Sequence, residues 1–369
     1  MITSSHDTED VMIARTQSLL QPRHENESWQ QLLAQGIRNP EQLFEALAIP
    51  IEQRPLLNPD NSVFPLRVPL GYVARMRHGD PNDPLLRQVL PLAAEGLNHH
   101  DYSLDPVGDL NAMTGKGLLQ KYQGRALLIT TGACAIHCRY CFRRHYPYQD
   151  QHARQDNWQT AISRLQDDNT INEVILSGGD PLMLTTAHLH ALTERLTTVK
   201  HIKRLRLHTR LPVVLPERIN PELLDWLNKL PFQIIIVIHT NHPAEIDNKV
   251  RTALGKLKKQ HITLLNQAVL LKDINDDSQT LARLSEKLFE NGVLPYYLHQ
   301  LDKVQGAGHF EVPVTTALHL HNQLRQRLPG YLLPQLVHEQ AGASSKLPLQ
   351  PRSSRQNQQQ SSGPPPGND

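Results

Sequence analysis

Short runs rich in β-branched residues alternate with helical stretches through the middle of this chain, and this alternation sets the narrowest limits on its fold. The runs begin at Ala126, and after each one apolar residues recur at helical spacing. They read ALLITTG, EVILSGGD, RLRLHT, FQIIIVIHT, ITLLNQAVL and YYLHQL. Six strand-then-helix units predict an α/β fold with a parallel sheet, either open and doubly wound or a partial barrel. Both architectures bind ligands at the carboxyl ends of their strands.

Composition divides the chain into five predicted segments. Residues 1–28 form a flexible N-terminus, and residues 29–119 form a helical extension whose amphipathic pieces are separated by proline-rich turns. Residues 120–330 contain the alternating units, and residues 331–350 follow them. Residues 351–369 are polar and rich in Pro, Gln and Ser, which predicts a disordered tail.

Charge and hydropathy exclude several classes of partner. Lys and Arg number 38 against 36 for Asp and Glu, so the formal charge of +2 gives no basic field that would attract nucleic acid or an anionic membrane. No apolar run approaches the roughly 20 residues of a membrane helix, and the N-terminal residues lack the pattern of a secretory signal. We therefore expect a small-molecule partner, no nucleic acid and no membrane.

The three cysteines, Cys134, Cys138 and Cys141, follow a C-x3-C-x2-C spacing directly after the first run. An odd number packed this tightly is not a disulfide framework, which indicates a reducing compartment and favours the cytoplasm. Three thiolates on one loop can each bind one iron of a cubane cluster and leave the fourth iron open. The alternative is a zinc-stabilised binding protein, with His137 or His145 as the fourth ligand. Structural zinc usually joins paired ligands from separate segments, and the chain has no second pair.

The cysteine spacing resembles that of the radical S-adenosylmethionine (SAM) superfamily, and its setting resembles the lysine 2,3-aminomutase family. The resemblance runs from about Asp83 to Leu349 and looks closest to the short EpmB branch, which makes β-lysine for elongation factor P. It implies a partial (β/α)6 barrel, which decides between the two architectures. The matching segments are DPLLRQVLP, RALLITTGACAIHCRYCFRR, VILSGGDPL, TRLPVVLPERI, HTNHPAEI and LLKDIND.

The resemblance also implies the reaction and its cofactors. The implied enzyme is an isomerase that converts free L-lysine to β-lysine. Its implied cofactors are a [4Fe-4S] cluster, SAM and pyridoxal phosphate (PLP). SAM would bind the open iron and give a 5′-deoxyadenosyl radical, needed because the C3 hydrogen of lysine is not acidic enough for a side-chain base. Implied partners are an electron donor of the flavodoxin or ferredoxin type, elongation factor P with its lysine ligase, and further copies of the chain in a homo-oligomer. No cysteine follows Cys141, so we expect no zinc-binding C-terminal segment of the kind that longer family members carry.

Several cofactor contacts follow from the resemblance at the strand ends. Glycines after a strand allow a close approach of the backbone to a ligand, and the motif at the second run would meet the amino group of SAM. Lys121 stands where the family usually has arginine. The expected SAM contacts are Ser177, Gly178, Gly179, Asp180, His239 and Asn241, and the expected PLP contacts are Lys121, Tyr122, Arg125 and Arg210.

The resemblance assigns the catalytic and substrate residues as well. Lys346 would hold PLP as a Schiff base, which makes residues 331–350 the PLP-lysine segment, although the small-residue run before it has only one glycine. Arg143 would clamp the substrate carboxylate, because a planar guanidinium suits that group. Asp302 and Glu339 would receive the ε-ammonium, and Glu339 stands where the family has aspartate. An acidic pocket argues against glutamate as substrate, and an aminomutase for another amino acid remains the alternative.

Overall fold

The strands of one ten-stranded sheet follow one another in sequence order across the fold. The computed structural model describes residues 27–60, 64–97, 99–149, 158–260 and 262–350. The predicted tail, and all of the predicted flexible N-terminus before residue 27, lie outside the described residues. The strands are β1 (Met113–Gly115), β2 (Leu118–Tyr122), β3 (Arg125–Thr131), β4 (Glu173–Gly178), β5 (Arg204–Thr209), β6 (Gln233–Ile238), β7 (Thr263–Val269), β8 (Leu294–His299), β9 (Gln335–His338) and β10 (Leu347–Pro348).

Strands β3 to β9 pair in parallel, which confirms the predicted parallel sheet. β1 and β2 continue the sheet antiparallel at one edge, and β10 does so at the other. A helix follows each strand from β3 to β8, so six units form the partial (β/α)6 barrel that the resemblance implied. The α-helices are α1 (Trp29–Ala34), α2 (Pro40–Ala46), α3 (Leu70–Val73), α4 (Pro84–Arg87), α5 (Gln159–Asp167), α6 (Thr186–Thr197), α7 (Leu211–Val214), α8 (Pro221–Asn228), α9 (Asn248–Lys258), α10 (Ser278–Glu290) and α11 (Val314–Arg327).

Local sequence explains where the barrel helices begin. The side chain of Asn220 accepts a hydrogen bond of 2.9 Å from the Leu223 backbone at the start of α8, and Pro221 occupies the first helical position. Asp277 accepts in the same way from the backbone of Thr280 in α10. Such caps satisfy N–H groups that a helix leaves open at its start. In the described part of the chain, no helix is both long enough and apolar enough to cross a membrane.

Strand β5 shows how the barrel separates apolar and polar side chains. Leu205 and Leu207 are fully buried among the hydrophobic residues of the core. Arg206 and His208 alternate with them and line the cavity inside the barrel. Because successive side chains of a strand point to opposite faces, one strand packs against helices and also supplies polar groups to the interior.

The helical extension is joined to the barrel through both its core and its charges. Phe44 and Leu85 belong to the same hydrophobic cluster as the barrel helices. Glu95 pairs with Arg139 and, at 2.7 Å, with Arg144, both of which follow cysteines. The sheet also runs across both predicted boundaries, since β1 and β2 begin within residues 29–119 and β9 and β10 lie within residues 331–350.

Glycines at the end of β4 allow the cysteine loop (residues 131–144) to lie directly on that strand. Gly178 has a φ of +110°, which side-chain-bearing residues rarely adopt. A Cβ atom on Gly179 would lie 2.4 Å from the carbonyl oxygen of Ala133. The Gly179 N–H instead donates to the carbonyl of Thr131 at 2.7 Å. The close contact between loop and strand therefore requires glycine.

This contact generates a prediction about stability. Gly179→Ala places a methyl group against backbone that cannot move without shifting the cysteine loop, so we expect unfolding to become easier by about 1–3 kcal/mol. Gly255→Ala is the matched control, because a Cβ there in α9 meets nothing within 4 Å and should stabilise the protein by up to about 1 kcal/mol. Urea unfolding measures both. Equal effects of the two substitutions would contradict this account of Gly179.

Candidate active site

A cavity of about 280 Å³ opens where the barrel strands end, as the strand-end rule predicts. Residues from strands and loops that are far apart in sequence share its wall. The structure brings together nearly all of the predicted site residues: Lys121, Tyr122, Arg125, Cys134, Cys138, Cys141, Arg143, Ser177, Gly178, Gly179, Asp180, Arg210, His239, Asp302, Glu339 and Lys346 line the cavity.

The three thiols all face this cavity. Arg210 donates a hydrogen bond of 2.7 Å from Nη1 to the sulfur of Cys138. Among the described residues, no group of three or more His, Cys, Asp or Glu side chains is arranged to hold a single metal ion. Three thiols that share one cavity can each bind a different iron of a cluster.

The two histidines considered as zinc ligands have other contacts. The Nδ1 atom of His137 lies 2.7 Å from the carbonyl oxygen of Pro65, and its ring stacks on Phe64 with centroids 4.7 Å apart. The Nε2 atom of His145 lies 3.1 Å from the carbonyl oxygen of Gln305. Neither histidine lines the cavity. The geometry therefore favours the cluster over the zinc alternative.

A chain of alternating charges crosses the cavity. Arg143 and Lys121 each lie 2.6 Å from Asp109, Lys121 lies 3.1 Å from Glu339, and Glu339 lies 2.5 Å from Lys346. Asp109 is 1% exposed and was not predicted from the sequence. Pairing of this kind offsets the large cost of removing charges from water.

The charge chain determines the ionisation of its carboxylates. Burial opposes the charged form of Asp109, but Arg143 and Lys121 outweigh it and lower the pKa of that carboxyl below its usual value. Burial also opposes the charged form of Glu339, but Lys346 and Lys121 outweigh it and lower the pKa of Glu339 to about 2. Both groups are therefore carboxylates at neutral pH.

Asp302 behaves differently although it lines the same cavity. Burial raises its pKa to about 7, and the nearby charge of Glu339 adds to the effect, while Lys346 and Lys121 oppose it. The two carboxyls thus differ in state, since Glu339 is ionised and Asp302 is partly protonated near neutral pH. A cation that enters between them would favour loss of the Asp302 proton.

Three further cavity residues carry buried polar atoms without a partner among the described residues. These atoms are Nε2 of His208, Nε2 of His299 and Oε1 of Gln267. Burial lowers the pKa of both histidines well below the usual value, so both rings are neutral. Buried polar atoms are rarely left unpaired in the absence of a ligand or water. Sequence reasoning missed all three residues.

Two of the cations predicted near PLP differ in whether a carboxylate already binds them. Lys121 is committed to two carboxylates and to the carbonyl oxygen of Val107 at 2.8 Å. Arg125 lies over the ring of Tyr122, 4.7 Å from its centroid, and within the described chain no carboxylate lies in ion-pair range of it. Arg125 is therefore the cation better placed to receive an anionic group.

Arg210 lines the cavity, and its contact with PLP stays a prediction. Its guanidinium contacts Cys138 and, at 2.8 Å, the carboxylate of Glu245. The backbone N–H of Arg210 donates to Asp180, which also accepts a side-chain bond from Thr209 at 2.7 Å. Asp180 thus fixes the end of β5, and both of its carboxylate oxygens are occupied by protein donors.

Asn241 is the one predicted residue outside the cavity wall. Its side-chain amide donates to Gln88 at 3.1 Å, and its side-chain carbonyl accepts from the backbone of Val269 at 2.9 Å. Both groups of the side chain are bound inside the protein, and a contact of Asn241 with SAM stays a prediction. His239, two residues earlier, does line the cavity and lies 5.6 Å from His208 between ring centroids.

The chain is similar to a protein family, to named relatives and to solved structures. The family described as "Radical SAM superfamily" matches residues 128–284. The chain is 45% identical over 324 residues to the L-lysine 2,3-aminomutase of Escherichia coli (strain K12), a match that covers 88% of this chain and 94% of that protein. It is 42% identical over 322 residues to the L-lysine 2,3-aminomutase of Haemophilus influenzae, a match that covers 87% of this chain and 95% of that protein. Among solved structures, Streptococcus suis SuiB bound to S-adenosylmethionine has a TM-score of 0.44 and 17% identity over 61% of this chain and 52% of that chain.

The barrel, the thiol loop at its first parallel strand and the matching family place this chain among the radical SAM proteins. It belongs, more closely, to the L-lysine 2,3-aminomutase family, whose members are isomerases. Membership in the superfamily implies a [4Fe-4S] cluster and SAM.

Asp302 generates a prediction about pH. Its pKa rises from 3.8 to about 7 on folding, so this group's contribution to the free energy of unfolding is complete below about pH 4 and is lost as the pH rises through about 7. Asp302→Asn removes the titration. We expect the free energy of unfolding of wild type, minus that of D302N, to fall between about pH 4 and 7 in urea titrations. A difference that rises over that interval would contradict the raised pKa.

Proposed function

We propose that this protein is a radical SAM and PLP-dependent L-lysine 2,3-aminomutase that converts free L-α-lysine to β-lysine. The observation that carries the proposal is the shared cavity, whose wall contains the three thiols, the amine of Lys346 and the carboxyls of Asp302 and Glu339. The names of the relatives in E. coli and H. influenzae agree with lysine as the substrate.

The described residues fit the three groups that the reaction needs. Cys134, Cys138 and Cys141 would bind three irons of the cluster, and Gly178 and Gly179 line the cavity beside them, where SAM would bind. When bound, the cluster and SAM would supply a radical that removes an unactivated hydrogen, and PLP would supply a π-system for migration of nitrogen.

Other residues of the cavity wall would hold PLP. Lys346 presents an amine to the cavity for attachment of the cofactor. Arg125, held over Tyr122 and without a carboxylate partner in the described chain, would receive the phosphate. The unpartnered nitrogens of His208 and His299 would hydrogen bond to polar atoms of the cofactor or the substrate.

The substrate residues have the charges that lysine requires. Arg143 would bind the α-carboxylate, and its orientation is fixed because Asp109 accepts from its Nε at 2.6 Å and Ser177 accepts from its Nη1 at 3.1 Å. Asp302 and Glu339 would bind the ε-ammonium. Entry of that cation would complete the ionisation of Asp302, so lysine binding would release a proton near neutral pH.

Further features follow from the proposed family role. The electron donor would be a flavodoxin or a ferredoxin, and β-lysine would serve elongation factor P through its lysine ligase. The matches over nearly the full length of relatives of similar size support the short EpmB branch. A cytoplasmic location and a homo-oligomeric state are part of the same proposal.

An amino-acid screen tests the function. Reconstituted protein, reduced in the absence of oxygen and supplied with SAM and PLP, should convert lysine to β-lysine and leave glutamate and arginine unchanged. We expect Asp302→Ala to weaken lysine binding at least tenfold, because one of the two carboxyls that would bind the ammonium is lost. Conversion of another amino acid in place of lysine would contradict the substrate assignment.

Borohydride trapping tests the cofactor assignment. Reduction of the PLP-loaded protein should fix the cofactor to Lys346, and peptide mapping should recover the label there. Lys249→Gln is the control and should still be labelled at Lys346, since Lys249 is exposed, pairs with Glu217 and does not line the cavity. Label at another lysine, or unchanged labelling of Lys346→Met, would overturn the assignment.

A further inference from the structure

The guanidinium of Arg210 sits between a cysteine thiol and a group of buried residues. Its Nη1 atom donates to the Cys138 sulfur at 2.7 Å. Its Nη2 atom donates to Gln88 and Glu245, each at 2.8 Å, and to the hydroxyl of Tyr72 at 3.1 Å. Arg210 is 6% exposed, and Tyr72, Gln88 and Glu245 are fully buried. No residue of this group had a role at the cluster in the sequence-based predictions.

Several elements fix the direction in which this guanidinium points. Tyr72 lies in α3 and Gln88 lies just after α4, so both belong to the helical extension. Glu245 follows β6, and one of its carboxylate oxygens accepts the backbone N–H groups of Asn241 at 2.8 Å and of the next residue at 3.0 Å. The other oxygen is left for Arg210. The extension and two barrel strand ends therefore hold the arginine against the thiol.

The contact has an electrostatic consequence for a cluster bound at Cys138. Arginine stays charged in proteins, so Nη1 brings a positive donor to the sulfur. Hydrogen bonds to the sulfurs and the local charge are among the factors that set the potential of an iron–sulfur cluster. Reduction adds negative charge, which a nearby guanidinium stabilises. Glu245 limits this effect because its carboxylate neutralises part of the guanidinium charge.

We propose that Arg210 is a positioning residue that raises the reduction potential of the cluster through its hydrogen bond to the Cys138 thiolate, and that Glu245 moderates it. The proposal rests on cluster binding by the three cysteines, as proposed above. The step concerned is the gain of one electron by the oxidised cluster from a low-potential one-electron donor. No bond breaks and no proton moves in this step.

The opposite charges of the two residues give a signed test. Reconstituted full-length protein is titrated anaerobically with dithionite as the electron source, and the midpoint potential is followed by visible absorption and by the EPR signal of the reduced cluster. We expect Arg210→Gln to shift the reduction equilibrium about tenfold toward the oxidised cluster, which is about 59 mV for one electron. Glu245→Gln should shift it in the opposite direction.

Arg218→Gln is the matched control. Arg218 is also fully buried near the barrel strands, but it donates to the carbonyls of Leu182 and Leu184 and contacts no cysteine. We expect this variant to lose stability without a change in midpoint potential. A purely structural role for Arg210 would leave the potential of R210Q at the wild-type value, as in R218Q.

The outcomes separate this inference from the proposed function. If wild type binds no iron and sulfide, the proposed function fails. If wild type binds the cluster but R210Q and E245Q keep its potential, or shift it in the same direction, the role of Arg210 is refuted. Loss of the Arg210 guanidinium leaves Glu245 unpaired, so R210Q could fail to fold. In that case the higher midpoint potential expected for E245Q still decides the question.

Discussion

The ion pair between Lys121 and Glu339 joins the two ends of the sheet, and the rest of the site depends on it. Lys121 belongs to β2, near the start of the sheet, and Glu339 follows β9, near its end. Among the described residues, the hydrogen-bonded strand order runs openly from β1 to β10, and charged side chains span the gap between the two ends. Through Asp109 and Lys346 the same pair extends into a chain of charges that reaches across the cavity. One arrangement thus brings the ends of the barrel together and holds the groups proposed to bind lysine and PLP.

The charge chain also keeps the proposed substrate groups paired within the protein. Arg143 is bound to Asp109, and Glu339 is bound to Lys346. A ligand with a carboxylate at one end and an ammonium at the other offers Arg143 an anion and Glu339 a cation. The cavity therefore suits a zwitterionic substrate with a distal cation, whereas glutamate would place a third carboxylate beside Asp302 and Glu339.

Sequence periodicity predicted the six strand-helix units because each depends on local patterns of apolar residues. The choice of a barrel over an open sheet came only from the resemblance, since closure depends on contacts between distant segments such as Lys121 and Glu339. His208, Gln267 and His299 occupy inward positions of strands, so the alternation of β5, β7 and β8 carried a signal for them that was not used.

Other features had no local signal. Asp109 lies in irregular chain before β1, and nothing in its neighbourhood marks it as the partner of Arg143 and Lys121. Asn241 follows a strand end in sequence, but its side chain is bound by residues of the helical extension and of β7. Position at a strand end therefore predicts the region of the cavity better than it predicts which side chains face it.

The proposed reaction requires the three thiols of one loop to bind a redox cluster in the same cavity as Lys346. Iron, acid-labile sulfide and zinc contents of the protein, purified and reconstituted without oxygen, decide whether they do. About four irons and four sulfides per chain are expected, and both should be lost when Cys134, Cys138 and Cys141 are replaced by alanine. Stoichiometric zinc with no sulfide would contradict it.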